Sequence, residues 1–193
     1  MSTRAALRLW PFLAALLAAA CSDEGSAPVD ATILDTPAID GPTAVDAPTA
    51  VAGDLCSSAE PITLTGGTAT VTATTAAPFT HNYQPGVCAK TNSGGNDRVH
   101  SITVPAGQRL TATVDPTATT FDPGIFVIAG PAASCDAMPI VCLASNDTGG
   151  DGANDAITYD NTTNAAVDVF IMIDGFRPDG DAYTLIVTVA PIG

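Results

Sequence analysis

The stretch Asp181–Pro191, DAYTLIVTVAP, sets the reading of the whole chain. From Tyr183 to Val189 apolar residues alternate with others, the two-residue period of a strand with one face buried. RLTATV (109–114) repeats the pattern. Working outward from these two, runs of β-forming residues closed by Gly, Pro, Asn or Asp follow one another after Leu55. They are PITLTGG (61–67), TATVTATT (68–75), DRVHSITVPAG (97–107), QRLTATVDP (108–116), DPGIFVIAG (122–130), PIVCLASND (139–147), DAITYDN (155–161), AVDVFIMIDGF (166–176) and DAYTLIVTVAP. No segment holds a helical period over ten residues. About nine short strands in this length predict an all-β, jelly-roll-like β-sandwich of eight to nine strands over residues 55–193.

Composition narrows the partners. The chain has 193 residues with six basic and twenty acidic side chains. Two of the basic residues, Arg4 and Arg8, precede the first apolar run, so four remain beyond it. Such an acidic surface repels phosphate backbones, which excludes nucleic acid as a partner, and attracts divalent cations or basic proteins.

The N-terminus reads as an export signal. MSTRAALR carries the positive charge, and LWPFLAALLAAA (9–20) is apolar but shorter than the roughly twenty residues a membrane span needs. Ala18, Ala19 and Ala20 then lead to Cys21. The arrangement resembles the lipobox of bacterial lipoproteins, with Ala18 where Leu is usual. It implies a signal peptide over 1–20, acylation of Cys21 (diacylglyceryl, and a third chain such as palmitate) and anchorage in the bacterial cell envelope. Two or more acyl chains anchor stably where one does not. Ser22, where Asp would favour inner-membrane retention, leaves the outer membrane as the expected location. Residues 21–54 then form a lipidated, acidic linker of Ala, Pro, Thr, Asp and Gly, with seven acidic residues after Cys21 and no aromatic or basic one. It holds too little apolar surface to offset ordering entropy, so a disordered tether is expected. Its reach is roughly 30 Å as a coil and about 100 Å fully extended.

Four further cysteines, Cys56, Cys88, Cys135 and Cys142, suit disulfides in an exported chain. Three connectivities are possible. The expected one is Cys56–Cys88 with Cys135–Cys142, because DAMPIV (136–141) could close as a hairpin loop. A cysteine zinc site would need close ligand pairs such as CxxC, and there are none.

From Asn146 the chain reads SNDTGGDGANDAITYDNTTNAAVDVFIMIDGFRPDGDAYTLIVTV (145–189). It resembles the bacterial pre-peptidase C-terminal (PPC) domain. Asn146 and Asp147 fit its first turn; Ile171, Ile173, Asp174 and Gly175 fit its central strand; Tyr183, Leu185 and Val187 fit its last. Asp97, Val104, Gly107, Leu110 and Thr113 fit an upstream hairpin. Asp181 and Ala182 stand where that family usually places a Gly. The resemblance covers residues 55–190 and implies a jelly-roll sandwich. Members accompany secreted peptidases, and some bind calcium or extracellular matrix; no peptidase precedes the domain here.

NDTGGDGAND (146–155) places Asp147, Asp151 and Asp155 four residues apart among glycines. It reads first as a solvated turn, with Asp and Asn suited to turn geometry, and otherwise as a candidate calcium loop, since calcium takes six to eight oxygens. DGFRPDGD (174–181) is a second acidic turn, with Arg177 among three aspartates. His81 and His100 are the only histidines, and neither lies in a GxSxG or HExxH context, so hydrolysis is a minor alternative. The NDT and NTT triplets at Asn146 and Asn161 match glycosylation sequons but carry little weight in a bacterial lipoprotein. The three Tyr and the five Phe beyond the leader fall mostly within apolar strand runs and read as core rather than as a sugar platform; Phe79 and Tyr83, in PFTHNYQPG, are the pair expected to be exposed. The sequence therefore points to a non-enzymatic, membrane-anchored binding or structural module with a protein or polysaccharide ligand at the cell surface. Calcium-dependent carbohydrate or matrix binding is the alternative.

Overall fold

The computed structural model describes residues 50–84, 88, 94–137 and 139–193. The expected signal peptide, Cys21 and nearly all of the expected tether lie outside them. Nine strands follow in chain order: β1 Glu60–Pro61, β2 Thr68–Thr74, β3 Asp97–Val104, β4 Gln108–Pro116, β5 Pro123–Ala129, β6 Cys142–Asn146, β7 Asp155–Asp160, β8 Val167–Gly175 and β9 Ala182–Pro191. The helical elements are a 3-10 turn, Cys56–Ser58, and one turn of helix, α1, Ala132–Cys135. Among the described residues no helix is long and apolar enough to cross a membrane.

The strands form two sheets, ordered β1-β3-β8-β5-β6 and β2-β9-β4-β7. Within them β2 pairs with β9, β3 with β8, β4 with β7 and β5 with β6, all antiparallel. A long hairpin rolled on itself has this nested pairing, which is the jelly roll. The first expected strand shrinks most, while PIVCLASND loses Pro139–Val141 and starts its strand at Cys142. Of PITLTGG just Pro61 stays in a ladder, because β1 is a two-residue edge pairing parallel to β3, and a proline offers that edge no N–H.

The alternation read in the sequence faces the two sheets together. Leu110, Ala112 and Val114 of β4 and Tyr183, Leu185, Val187 and Val189 of β9 meet Ile102, Val104, Ile125, Val127, Val169, Ile171 and Ile173 of the other sheet. In β9 the intervening Ile186 is 42% exposed.

The five-stranded sheet is covered on its other face as well. Val99, Phe126, Ile128, Phe170 and Met172 form a second core there, closed by Cys56, Tyr83, Cys135 and Ile140. The cover is tied by polar contacts. The Cys56 amide donates to Tyr83 Oη at 2.8 Å and to Asp136 Oδ1 at 2.9 Å, Ser57 N donates to Asp136 Oδ2 at 3.1 Å, and the Tyr83 hydroxyl donates to Asp136. Burial raises the Asp136 carboxyl, but these donors outweigh it and hold the group below the usual carboxylate range. Gly53 and Asp54 already belong to this body: Val99 N donates to Gly53 O at 2.7 Å, and Thr80 N to Asp54 Oδ1 at 3.0 Å.

The disulfides correct the expected pairing. Cys56 bonds Cys135 and Cys88 bonds Cys142, with Cα–Cα distances of 5.9 and 5.7 Å. DAMPIV does not close a hairpin, because α1 turns Cys135 down onto the outer face of the sheet while Cys142 opens edge strand β6. The bonds span 79 and 54 residues, worth roughly 4 kcal/mol each in the chain-entropy account.

Leu185→Ala is expected to lower unfolding free energy by about 2–5 kcal/mol in urea titrations, whereas its exposed neighbour Ile186→Ala changes it by under about 0.5 kcal/mol. Similar losses at both positions would contradict this register.

Candidate functional site

A jelly roll returns alternate connections to the same end. The links β2–β3, β4–β5, β6–β7 and β8–β9 therefore share one end of the sandwich. The last two are the acidic loops singled out in the sequence, so topology brings them together. Arg177 joins them: its Nη2 lies 2.7 Å from Asp151 Oδ2, and its Nη1 donates to Thr120 O at 3.3 Å. Gly152 N donates to Phe121 O at 2.8 Å, and Phe176 N to Asp122 O at 3.0 Å. Gly152 has φ +74°, and a Cβ there would press on Thr119; the loop needs glycine at that point.

The three candidate calcium ligands have different surroundings. Asp155 is buried; its Oδ1 accepts Thr148 N at 3.2 Å and Gly149 N at 3.1 Å. Burial raises its pKa against the pull of these amides. Asp151 is exposed and committed to Arg177. Asp147 lies beside β5, its Cγ 3.5 Å from where a Cβ of Gly124 would be. Asp122 joins them in space. Its pKa is raised first by burial, then by the charges of Asp147, Asp151 and Asp155, with Arg177 easing it. Asp155 Oδ2 and Asp122 Oδ1 are buried without a hydrogen-bond partner among the described residues. A pocket of about 120 Å³ opens at the same end between Thr120, Phe121, Arg177, Asp179, Gly180 and Asp181.

The aromatic expectation needs correction. Phe79 is 7% and Tyr83 2% exposed, because Tyr83 anchors the cover and Phe79 packs under the Arg98 guanidinium, 4.5 Å from the ring centre. Among the described residues the exposed ring is Phe176, at 56%, the first residue of the second acidic loop after β8. Its exposure was readable only as an apolar residue among turn formers.

A larger groove, about 430 Å³, lies where the cover stops on the outer face. Ser57, Ser101, Thr103 and Asp168 give it hydroxyls and one carboxylate over Ile62 and Phe170, and Thr103 Oγ1 donates to Asp168 Oδ1 at 2.6 Å. Neither histidine lines this groove or the smaller pocket. His100 is buried, with Nε2 2.9 Å from Tyr183 Oη and Nδ1 3.7 Å from Glu60 Oε2. His81, partly exposed, has Nδ1 2.8 Å from Gly95 O. At the opposite end Asn161 is buried, its amide donating to three carbonyls, so the NTT triplet has a structural occupation.

No family model and no curated protein matches the chain. Among solved structures it is similar to PliG, a periplasmic inhibitor of g-type lysozyme from Aeromonas hydrophila, at 17% identity over 68% of this chain and 96% of that one, TM-score 0.43. It is similar to the Yersinia pseudotuberculosis-derived mitogen, at 17% identity over 65% and 88%, TM-score 0.40. It also resembles CorA, a surface-associated copper-binding protein of Methylomicrobium album BG8, at 11% identity over 70% and 98%, TM-score 0.41. Likenesses this distant carry no function.

Burial, then the charge of Arg98, depresses His100 to a pKa of about 4 from 6.5. The folded chain thus refuses a proton that the unfolded chain accepts. The His100 contribution is complete above pH 6.5 and is lost as pH falls toward 4, roughly 3 kcal/mol at about 1.4 kcal/mol per unit. Asp97, raised by burial to about 7, acts with opposite sign in the same range. The measurement is therefore the difference between the chain and His100→Gln in urea titrations at pH 7 and pH 4. The parent should lose about 2–3 kcal/mol relative to the variant on acidification; parallel curves would contradict it.

Proposed function

We propose that this protein is a non-enzymatic lipoprotein of the bacterial envelope, a PPC-like jelly roll held by acylated Cys21 on its acidic tether in the outer membrane. It presents the acidic loop end as a binding face for a protein or polysaccharide ligand. The observation that carries this reading is the convergence of loops 147–154 and 176–181, tied by Arg177 and Asp151, with the exposed Phe176 at the start of the second. An end of the sandwich that carries acidic loops and an exposed aromatic ring suits a ligand with a cationic or hydroxyl-rich surface. The two disulfides fit an oxidising compartment.

Calcium-dependent binding at this same end is the second reading. It is favoured by the buried oxygens of Asp122 and Asp155, and the ion would have to take Asp151 from Arg177. Calorimetry with calcium should then show heat that Asp155→Asn removes; a silent titration of the parent chain ends that reading.

The anchor is tested by feeding cells radiolabelled palmitate. Label should enter the chain and be absent from Cys21→Ser; equal labelling of both would contradict acylation at that cysteine. The binding face is tested with a photo-crosslinking residue at Phe176 in intact cells. An adduct of discrete mass is expected there and none from the same residue at Thr162, exposed at the opposite end. Equal labelling of the two positions, or none at 176, would overturn the assignment.

A further inference from the structure

We propose that His81, Asp97 and Asp174 form a binding site for a divalent first-row transition-metal cation such as zinc or manganese, separate from the loop-end ligand. One ligand-capable atom of each residue lies within 4.8 Å of the other two. Asp97 opens β3 and Asp174 lies directly opposite it on β8, and both are fully buried. Two carboxylates facing each other across a ladder repel, and burial magnifies the cost. A cation between them removes it.

Asp97 makes the aim of the site visible. Its Oδ2 accepts Asn82 N at 2.7 Å and Tyr83 N at 2.8 Å. Its Oδ1 is buried and has no hydrogen-bond partner, an oxygen left for something other than the backbone. The same two amides draw the 80–83 segment over the carboxylates and set His81 at the mouth. There its Nδ1 is 3.8 Å from Asp97 Oδ2 and its side chain 33% exposed. In the metal-free chain that nitrogen donates to the Gly95 carbonyl at 2.8 Å, and the ion must take Nδ1 from it. Gly95 N donates to Gly175 O at 2.7 Å, and a Cβ on Gly95 would collide with that carbonyl, so this backbone is locked against the end of β8. Metal bonds of about 2.0–2.2 Å place adjacent ligand atoms roughly 3–3.5 Å apart, the spacing these groups already approach.

The donor set selects the ion. An imidazole with carboxylates suits zinc, manganese or iron, whereas calcium sites are built from oxygen alone. The partly exposed imidazole edge leaves a path for entry. Asp54, Tyr83 and His81 are the other charged or titratable groups acting on Asp97.

The test uses the full-length chain, stripped with chelator and titrated calorimetrically with zinc alone and manganese alone. One equivalent should bind, and His81→Ala, a change at a partly exposed position, should weaken it by at least about tenfold. Asp97→Asn, which keeps an acceptor for the Asn82 and Tyr83 amides, should abolish binding, with its melting curve confirming a folded chain. Binding should be unchanged in Asp151→Ala and Asp155→Asn. No binding to the parent chain, or equal binding to His81→Ala, overturns the proposal. Loss in Asp151→Ala or Asp155→Asn instead moves the ion to the 147–154 loop and also overturns it, leaving the loop-end reading standing.

Discussion

The constraint on which the rest depends is that the five-stranded sheet must be dry on both faces. β5 and β8 carry apolar side chains on both sides: Ile125, Val127, Ile171 and Ile173 toward the second sheet, Phe126, Ile128, Phe170 and Met172 away from it. Two sheets alone would leave the second set in water. The chain answers with a cover drawn from three distant segments, the Cys56 turn, residues 78–83 and α1. The Cys56–Cys135 bond and the Tyr83–Asp136 contact hold the cover down. A four-residue helix and a three-residue turn have no stability of their own, so covalent and charge-assisted ties supply what propensity does not.

That cover also creates the chemistry. Where it passes the ends of β3 and β8 it shuts Asp97 and Asp174 away from water and seats His81 over them. Beyond it the loops of the same end stay open and acidic, with Arg177 their one shared counter-charge among the described residues. One end of the sandwich therefore combines a dry carboxylate pair with a wet carboxylate rim. The opposite end is closed by the buried amide of Asn161.

Much of this was legible in the sequence. Every long strand was visible as a β-forming run, and the inter-sheet core followed from the alternation in RLTATV and YTLIVTV. The unbroken runs GIFVIA and VFIMI also carried the signal of a doubly covered sheet, since a strand with one wet face alternates, yet they read at first only as strands. The cysteine pairing was not legible, because α1 is too short to leave a periodic trace and its turn decides where Cys135 points. Nor was the burial of Phe79 and Tyr83, which depends on the cover. The meeting of the two acidic loops was implicit in the jelly-roll order and became visible only with the pairing. His81, Asp97 and Asp174 are scattered along the chain; only the register of β3 on β8 and the path of residues 80–83 unite them.

Met172 reports on the central claim most directly. It lies on the outer face, buried beneath the cover, and peroxide converts an accessible methionine to its sulfoxide. With both disulfides intact, mass spectrometry after peroxide treatment should find Met172 unmodified. Once Cys56 and Cys135 are replaced by serine it should oxidise readily, while the far-ultraviolet spectrum stays that of a β-protein. Rapid oxidation of Met172 in the intact chain would show that the second face is open to water and would contradict the account.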